Sequence, residues 1–232
     1  MSIKKRRVVV KLSGSIFDLD DCVERIRMYA DLFKELINDY DRNIQVVVVA
    51  GGGKEARRYI DAARAFGADE SSLDELGVEI SRLNARLLIH AIGDNAYPHV
   101  PRDLQEVSVA VDSNKVVVTG GLHPGQSTNA TSALIAERVR ASMFINATDV
   151  DGIYTADPRI NKDAKLIKRI SVKELLTMLI DEKFNAGTYE LMDIVALKVI
   201  ERSNIPTRVI KASVENIRLV IDGHDIGTQI LS

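Results

Sequence analysis

The sequence predicts an α/β protein: a three-layer α/β/α sandwich around a mostly parallel central sheet. Three observations carry that expectation. First, at least five short runs are rich in β-branched residues, as in strands buried on both faces of a parallel sheet. Val46–Ala50 (VVVVA) is the plainest of them. Second, helical patterns separate these runs, as right-handed β-α-β units require. Third, the runs end in turns rich in glycine or acid: Ser13-Gly14-Ser15, Gly51-Gly52-Gly53, Gly120 to Thr128, and Thr148 to Asp157. Ligands of such sheets collect at the carboxyl ends of the strands.

Composition bounds the rest. The 232 residues suit one large domain or two closely merged lobes, and 46% hydrophobic with 28% charged content is enough to bury a full core. A net charge of -2 gives no global field towards nucleic acid or an acidic membrane. The basic cluster Lys4 to Arg7 runs straight into a strand and reads as a solvated leader. One cysteine, Cys22, excludes an intrachain disulfide and fits a reducing, cytoplasmic setting. No apolar run reaches the roughly 18 residues of a membrane span, and no signal peptide is expected before Val8. His90, His99, His123 and His224 are scattered without ligand spacing, so no protein metal site is expected.

In chain order, Arg7 to Leu12 (RVVVKL) reads as a strand. Lys11 within it is expensive unless its ammonium reaches an anion or snorkels at the strand end. Asp18 to Asp41 holds an amphipathic helix, with Val23, Ile26, Ala30, Phe33 and Ile37 on its buried face and Asp20 or Asp21 as cap. The Val46 strand and the three glycines follow. A helix from about Lys54 to Phe66 aims its positive end at the same spot, with Arg57 and Arg58 one turn in. That arrangement suits phosphate; the alternative is a tight turn that binds nothing.

Ser72-x-x-Glu75 reads as a capping box opening a longer helix to Ile92, stopped by Gly93. Asp74, expected in its first turn, either complements the helix dipole or accepts ribose hydroxyls. Ala96 to Asp112 reads as a looser connection. Lys115 to Thr119 is the next strand, and Ser127 or Thr128 caps a helix ending near Arg140. The loop between offers glycines, hydroxyls and amides suited to the edge of a base or sugar, or forms a long structural turn. Met143 to Ala147 is the fourth strand, and the acids and tyrosine after it can hold a nucleoside and position a cation or lysine. Ser171-x-x-Glu174 caps a helix to about Ile180. A helix from Met192 to Ser203 stops at Asn204. Thr207 to Lys211 is a strand, Ser213 to Ile221 a helix, and Thr228 to Leu231 a terminal edge strand. Neither a P-loop nor a G-x-G-x-x-G fingerprint occurs.

KLSGS (Lys11 to Ser15), AGGGKEARRY (Ala50 to Tyr59), VTGGLHPGQSTNAT (Val118 to Thr131), TDVDGIYTADPR (Thr148 to Arg159) and AGTYELMD (Ala186 to Asp193) occur in this order. Together they resemble the amino acid kinase family, and most of all its archaeal members that phosphorylate UMP. The likeness implies an amino acid kinase fold over 1–232, with the UMP lobe mainly N-terminal and the ATP lobe mainly C-terminal. It implies reversible transfer of the ATP γ-phosphoryl group to UMP, giving ADP and UDP in pyrimidine nucleotide biosynthesis. It implies a homohexamer built as a trimer of dimers, and Mg²⁺ carried by ATP rather than by protein ligands.

The same resemblance implies the site. Lys11, Arg57 and Asp151 would be catalytic, with Lys54 or Lys165 able to share the lysine's role. Gly14, Ser15, Gly53, Arg57, Thr148, Tyr154 and Asp157 would bind ATP. Gly52, Asp74, Leu122, His123, Pro124, Gly125, Gln126, Ser127 and Thr128 would bind UMP. Transfer through a loose transition state needs positioning and positive charge, not a protein nucleophile. Two rival readings stand beside this one: a family member phosphorylating a carboxylate or carbamate, and a non-catalytic nucleotide or oxyanion binder on the same fold.

Overall fold

The structure is a computed structural model, and it describes residues 5–180 and 191–232. Among these, seven strands form one sheet: β1 (Arg6–Leu12), β2 (Ile44–Ala50), β3 (Val117–Thr119), β4 (Met143–Thr148), β5 (Arg169–Ser171), β6 (Thr207–Lys211) and β7 (Thr228–Leu231). Their order is β3-β2-β1-β4-β6-β7-β5. All neighbours are parallel except β6 and β7, which pair antiparallel. Strands β1–β4 therefore point the same way, and the four turns that follow them share one rim.

The helices are α1 (Cys22–Asn38), α2 (Gly53–Ala65), α3 (Glu70–Ile92), α4 (Leu104–Val111), α5 (Thr128–Arg138), α6 (Val172–Ile180), α7 (Ile194–Ser203) and α8 (Val214–Ile221). Successive strand side chains point to opposite faces, and the valine runs feed two cores at once. Val8, Val10, Val46 and Val48 pack with Phe33, Leu88 and Ile217 from α1, α3 and α8. Val9, Val47 and Val49 pack with Val107, Ile135 and Leu197 from α4, α5 and α7. Every residue of β2 is buried. At about 1.5–3 kcal/mol per buried apolar side chain, this strand anchors the rim that carries the turns.

Several sequence expectations change. The helix opening at α3 begins earlier: Asp69 is the N-cap and its Oδ1 accepts from Ser72 N–H, so Ser72-x-x-Glu75 is not the box and Asp74 lies beyond the first turn. Asp21 precedes α1 but is left-handed, at φ 60°, and makes no side-chain cap bond. Val23 is exposed, and the buried face of α1 instead runs through Ile26, Tyr29, Ala30, Phe33 and Leu36. The 96–112 connection contains α4, capped by Asp103, whose Oδ1 accepts from Gln105 and Glu106 N–H. The third strand is shorter than expected, and α7 begins at Ile194 under the cap Asp193. β7 is not an edge; unanticipated β5 covers it. Arg6 and Arg7 are structural, donating to Ile221 O and to Gln45 Oε1 and Val139 O. Lys4 and residues 186–190 of the AGTYELMD motif lie outside the described residues.

Candidate active site at the carboxyl rim

The turns after β1 and β2 interlock backbone against backbone. A Cβ on Gly14 would stand 2.0 Å from Gly53 N, and one on Gly53 would stand 2.5 Å from Gly14 O. Gly53 also has φ +71°, which side chains rarely tolerate. Gly52 is right-handed (φ -78°, ψ -31°) and Gly53 follows with positive φ. Such a pair turns successive N–H groups into an anion-binding concavity. The third N–H, of Lys54, is taken by Asp18 Oδ1 at 3.0 Å, and Asp18 Oδ2 stands 3.4 Å from Lys54 Nζ. Lys54 is thus tied down in this state. Arg58 pairs with Glu55 at 2.8 Å. Arg57, one turn on from Gly53, makes no ion pair with any described residue.

The turns after β2 and β3 meet in one cavity of about 210 Å³. It is lined by Gly52, Gly53, Asp74, Ser81, Gly121, Gln126 and Thr128, among others. Helix α3 ties both turns with one polar stripe. Asn84 Nδ2 donates to Gly51 O (2.8 Å) and Gly52 O (3.3 Å). Ser81 Oγ accepts from Gly121 N–H at 2.8 Å, and Arg82 donates to Gly121 O and Leu122 O. Asp74 Oδ2 accepts from Gly125 N–H at 2.7 Å, which leaves its other oxygen to the cavity. Leu122 is buried, whereas His123, Pro124 and Gly125 are exposed.

Ser127 caps α5 by accepting from Ala130 N–H at 3.0 Å, and its hydroxyl donates to Asp193 Oδ2. Asp193 Oδ1 meanwhile accepts from Ala196 N–H and caps α7. The Ser127 proton is therefore spent within the protein, and its oxygen can only accept further. The first N–H groups of α5 stay open beside the cavity, as helix N-termini do.

The turn after β4 is held by side chains. Asp149 Oδ1 accepts from Ser13 Oγ (2.7 Å) and Ser15 Oγ (2.6 Å), joining it to the β1 turn. Lys11 lies below. Burial, the larger influence, pushes its ammonium down from the ordinary 10.5 to about 8, while the charge of Asp149 pulls it back up. No hydrogen bond or ion pair to a described residue holds the ammonium. Asp149 is thus the carboxylate whose charge reaches Lys11. Asp151 instead accepts from Tyr154 Oη at 3.1 Å. Partial burial, helped by this bond, raises the Tyr154 phenol. Thr148 turns inward, bonding Val150 O and N–H. Asp157 is clasped by Arg159 through Nε and Nη2, and these bonds hold its carboxyl below the usual range. Lys165 is exposed, its backbone N–H donating to Thr155 Oγ1.

The sequence reading passed over Asp18, Ser81, Asn84, Asp149 and Asp193. Asp149 stood in a quoted motif but shared it with two other acids. Asp193 directly precedes an apolar helical run, a cap signal. The other three act across 32 or more residues, and no local pattern marks them.

The family model described as "Amino acid kinase family" matches residues 6–211. A curated uridylate kinase of Hyperthermus butylicus is 45% identical over 97% of this chain and 98% of its own. One from Methanothermobacter thermautotrophicus is 41% identical over 97% and 99%. The crystal structure of uridylate kinase from Archaeoglobus fulgidus superposes with a TM-score of 0.86 at 42% identity, covering 96% of this chain and 99% of that one. UMP kinase from Ureaplasma parvum, at 21% identity and a TM-score of 0.78, shares the fold; the match covers 99% of this chain and 100% of that one.

Proposed function

The chain belongs to the amino acid kinase family, and from that premise we propose that it transfers the γ-phosphoryl group of ATP to UMP, giving ADP and UDP. One observation carries the reading: the 51–53 and 120–128 turns meet at a single cavity with Asp74 between them. The cavity lining holds glycines, hydroxyls, an amide and one carboxylate, with no lysine or arginine. An acceptor carboxylate would want basic groups there; a nucleoside wants the groups present. The place of this reaction in pyrimidine nucleotide biosynthesis follows from the substrate and product.

UMP lies in the N-terminal half, with its ribose on the open oxygen of Asp74 and its base along Leu122 to Thr128. ATP lies over β4 and β6, with its phosphates on Gly14 and Ser15 and its nucleoside along Thr148, Tyr154 and Asp157. The sheet order supports these lobes, since β2 and β3 stand on one side of β1 and β4 to β7 on the other. The N–H groups of Gly52 and Gly53 stand between the two phosphates. Lys11 and Arg57, neither spent on a described residue, offset charge building on the transferred group. UMP phosphate is already an anion near neutral pH, so no side chain need take a proton.

No group of three or more His, Cys, Asp or Glu residues among those described could hold a metal. Asp149 Oδ2 accepts no hydrogen bond from a described residue, and Asp151 is exposed; these oxygens fit a cation that arrives with ATP. Mg²⁺ there would supply charge neutralisation across the ATP phosphates.

We further infer a homo-oligomer, a hexamer built from dimers. Leu83 and Leu87, 54% and 41% exposed, continue an apolar stripe from Leu76 and Ile80 along α3. Sedimentation equilibrium should show an oligomer that Leu83→Arg dissociates; a monomeric parent chain overturns this. No described helix is long and apolar enough to cross a membrane, and a cytoplasmic setting suits the substrates.

An ADP-release assay with UMP, acetylglutamate, aspartate and carbamate tests the main reading. Turnover with UMP alone is expected. Turnover with a carboxylate or carbamate, or nucleotide binding without turnover, would replace it.

A further inference from the structure

Asn84 sits on α3 with 6% of its surface exposed, and Nδ2 reaches two consecutive carbonyls, Gly51 O and Gly52 O. In a trans peptide the C=O and the following N–H point in opposite directions, and no cis bond occurs among the described residues. Holding Gly51 O therefore fixes the direction of Gly52 N–H. Holding Gly52 O likewise fixes Gly53 N–H. Both N–H groups are turned away from α3, and neither donates to a described residue. Glycines need such a tether, because each can adopt many other peptide orientations at little cost.

We propose that Asn84 is a positioning residue: by gripping the two carbonyls it presents Gly52 and Gly53 N–H to the phosphoryl group in flight. This deepens the phosphotransferase reading and rests on it. Without a donor at 84, Gly51 O has no described partner and Gly52 O keeps only Ala56 N–H at 3.4 Å, so the clamp loses much of its preset geometry. A preset donor matters most where charge develops, so the loss falls on kcat more than on either KM.

The test uses Asn84→Ala and Asn84→Asp in the full chain. The carboxylate of Asn84→Asp cannot donate and repels both carbonyls, but its protonated form donates again, and burial favours protonation. At pH 8 both variants should lose about a hundredfold in kcat, with each KM within about threefold of the parent. Between pH 8 and pH 6, Asn84→Asp should regain about tenfold relative to the parent, while Asn84→Ala regains nothing. Parallel pH profiles for the two variants, or an unchanged kcat per folded molecule, overturn the proposal. Should Asn84→Asp fail to fold, Asn84→Thr and Asn84→Val form a nearly isosteric pair with and without a donor. A higher kcat for the threonine variant supports the proposal, and equal values overturn it. Absence of UMP turnover by the parent chain would instead count against the reaction itself. In that case the same variants are titrated with inorganic pyrophosphate, and weaker binding by Asn84→Ala sustains the positioning role while unchanged binding overturns it.

Discussion

The two sides of the rim are built by opposite means. On the β1–β2 side, backbone rests on backbone, and Gly14 and Gly53 leave no room for a single carbon. On the β4 side, the turn is laced by side chains: Asp149 to Ser13 and Ser15, Tyr154 to Asp151, Arg159 to Asp157. The first construction is rigid and admits no substitution. The second is a set of separable bonds, each worth about 1–3 kcal/mol at most when charge-assisted, and loses function in steps.

The largest effect should break the glycine side. Gly14→Ala drives a carbon into Gly53 N, and Gly53→Ala adds left-handed strain as well. Overpacking costs about 1–3 kcal/mol of stability, and displacing the clamp by about 1 Å costs roughly a hundredfold or more in turnover. Both should appear together in calorimetry and steady-state rates; near-parental activity in Gly14→Ala would show that the interlock is not needed.

Lys11, below the junction of the two sides, comes next. Replacement by Met should lower kcat by about a hundredfold. In the parent chain kcat/KM should fall as pH rises through about 8, where the free ammonium loses its charge. The linkage runs the other way for stability. The folded value is depressed, so the unfolded chain holds more protons between about 8 and 10.5, and stability rises with pH across that window. Lys11→Met should therefore be more stable than the parent at pH 7, and a lower melting temperature would contradict the cost assigned to this buried charge.

Asp74→Asn should raise the KM for UMP about tenfold through loss of a ribose acceptor, with the KM for ATP unchanged. An effect confined to ATP would reverse the assignment of the lobes. The smallest effect belongs to the laced side. Asp157 is already satisfied by Arg159, which keeps the pair half open to solvent, so Asp157→Asn should shift the KM for ATP only about two- to threefold, near the surface ion-pair scale. A loss as large as that of Gly14→Ala would erase the contrast.

What the sequence made legible follows the same division. Strands β1, β2 and β4 and the glycine turns were readable because burial on both faces leaves an apolar run, and because a bare turn has a residue type of its own. The helix α4 was missed between Pro98 and Pro101 and the next strand, although Asp103 followed by Glu106 at N3 was a usable start signal. The position of β7 inside the sheet depends on β5, a three-residue strand too short to show a period. Among side chains, Asp149 and Asp151 differ by two residues and carry the same charge. Only the course of the turn decides whose charge reaches Lys11. The α3 stripe of Asp74, Ser81 and Asn84 was hidden for another reason: its partners are main-chain atoms of distant turns, which leave no trace in composition.

The contact between Gly14 and Gly53 has a consequence for descent. Neither position can drift alone, since any larger residue at one collides with the main chain of the other, and no compensating change at the partner can make it smaller than glycine. At the tip of the acceptor loop His123 and Pro124 are exposed, while Gly125 has open space around it but a φ of +74° that resists a side chain. In lineages built on this frame, new acceptor preferences should arise at that tip, while the paired glycines stay as inherited.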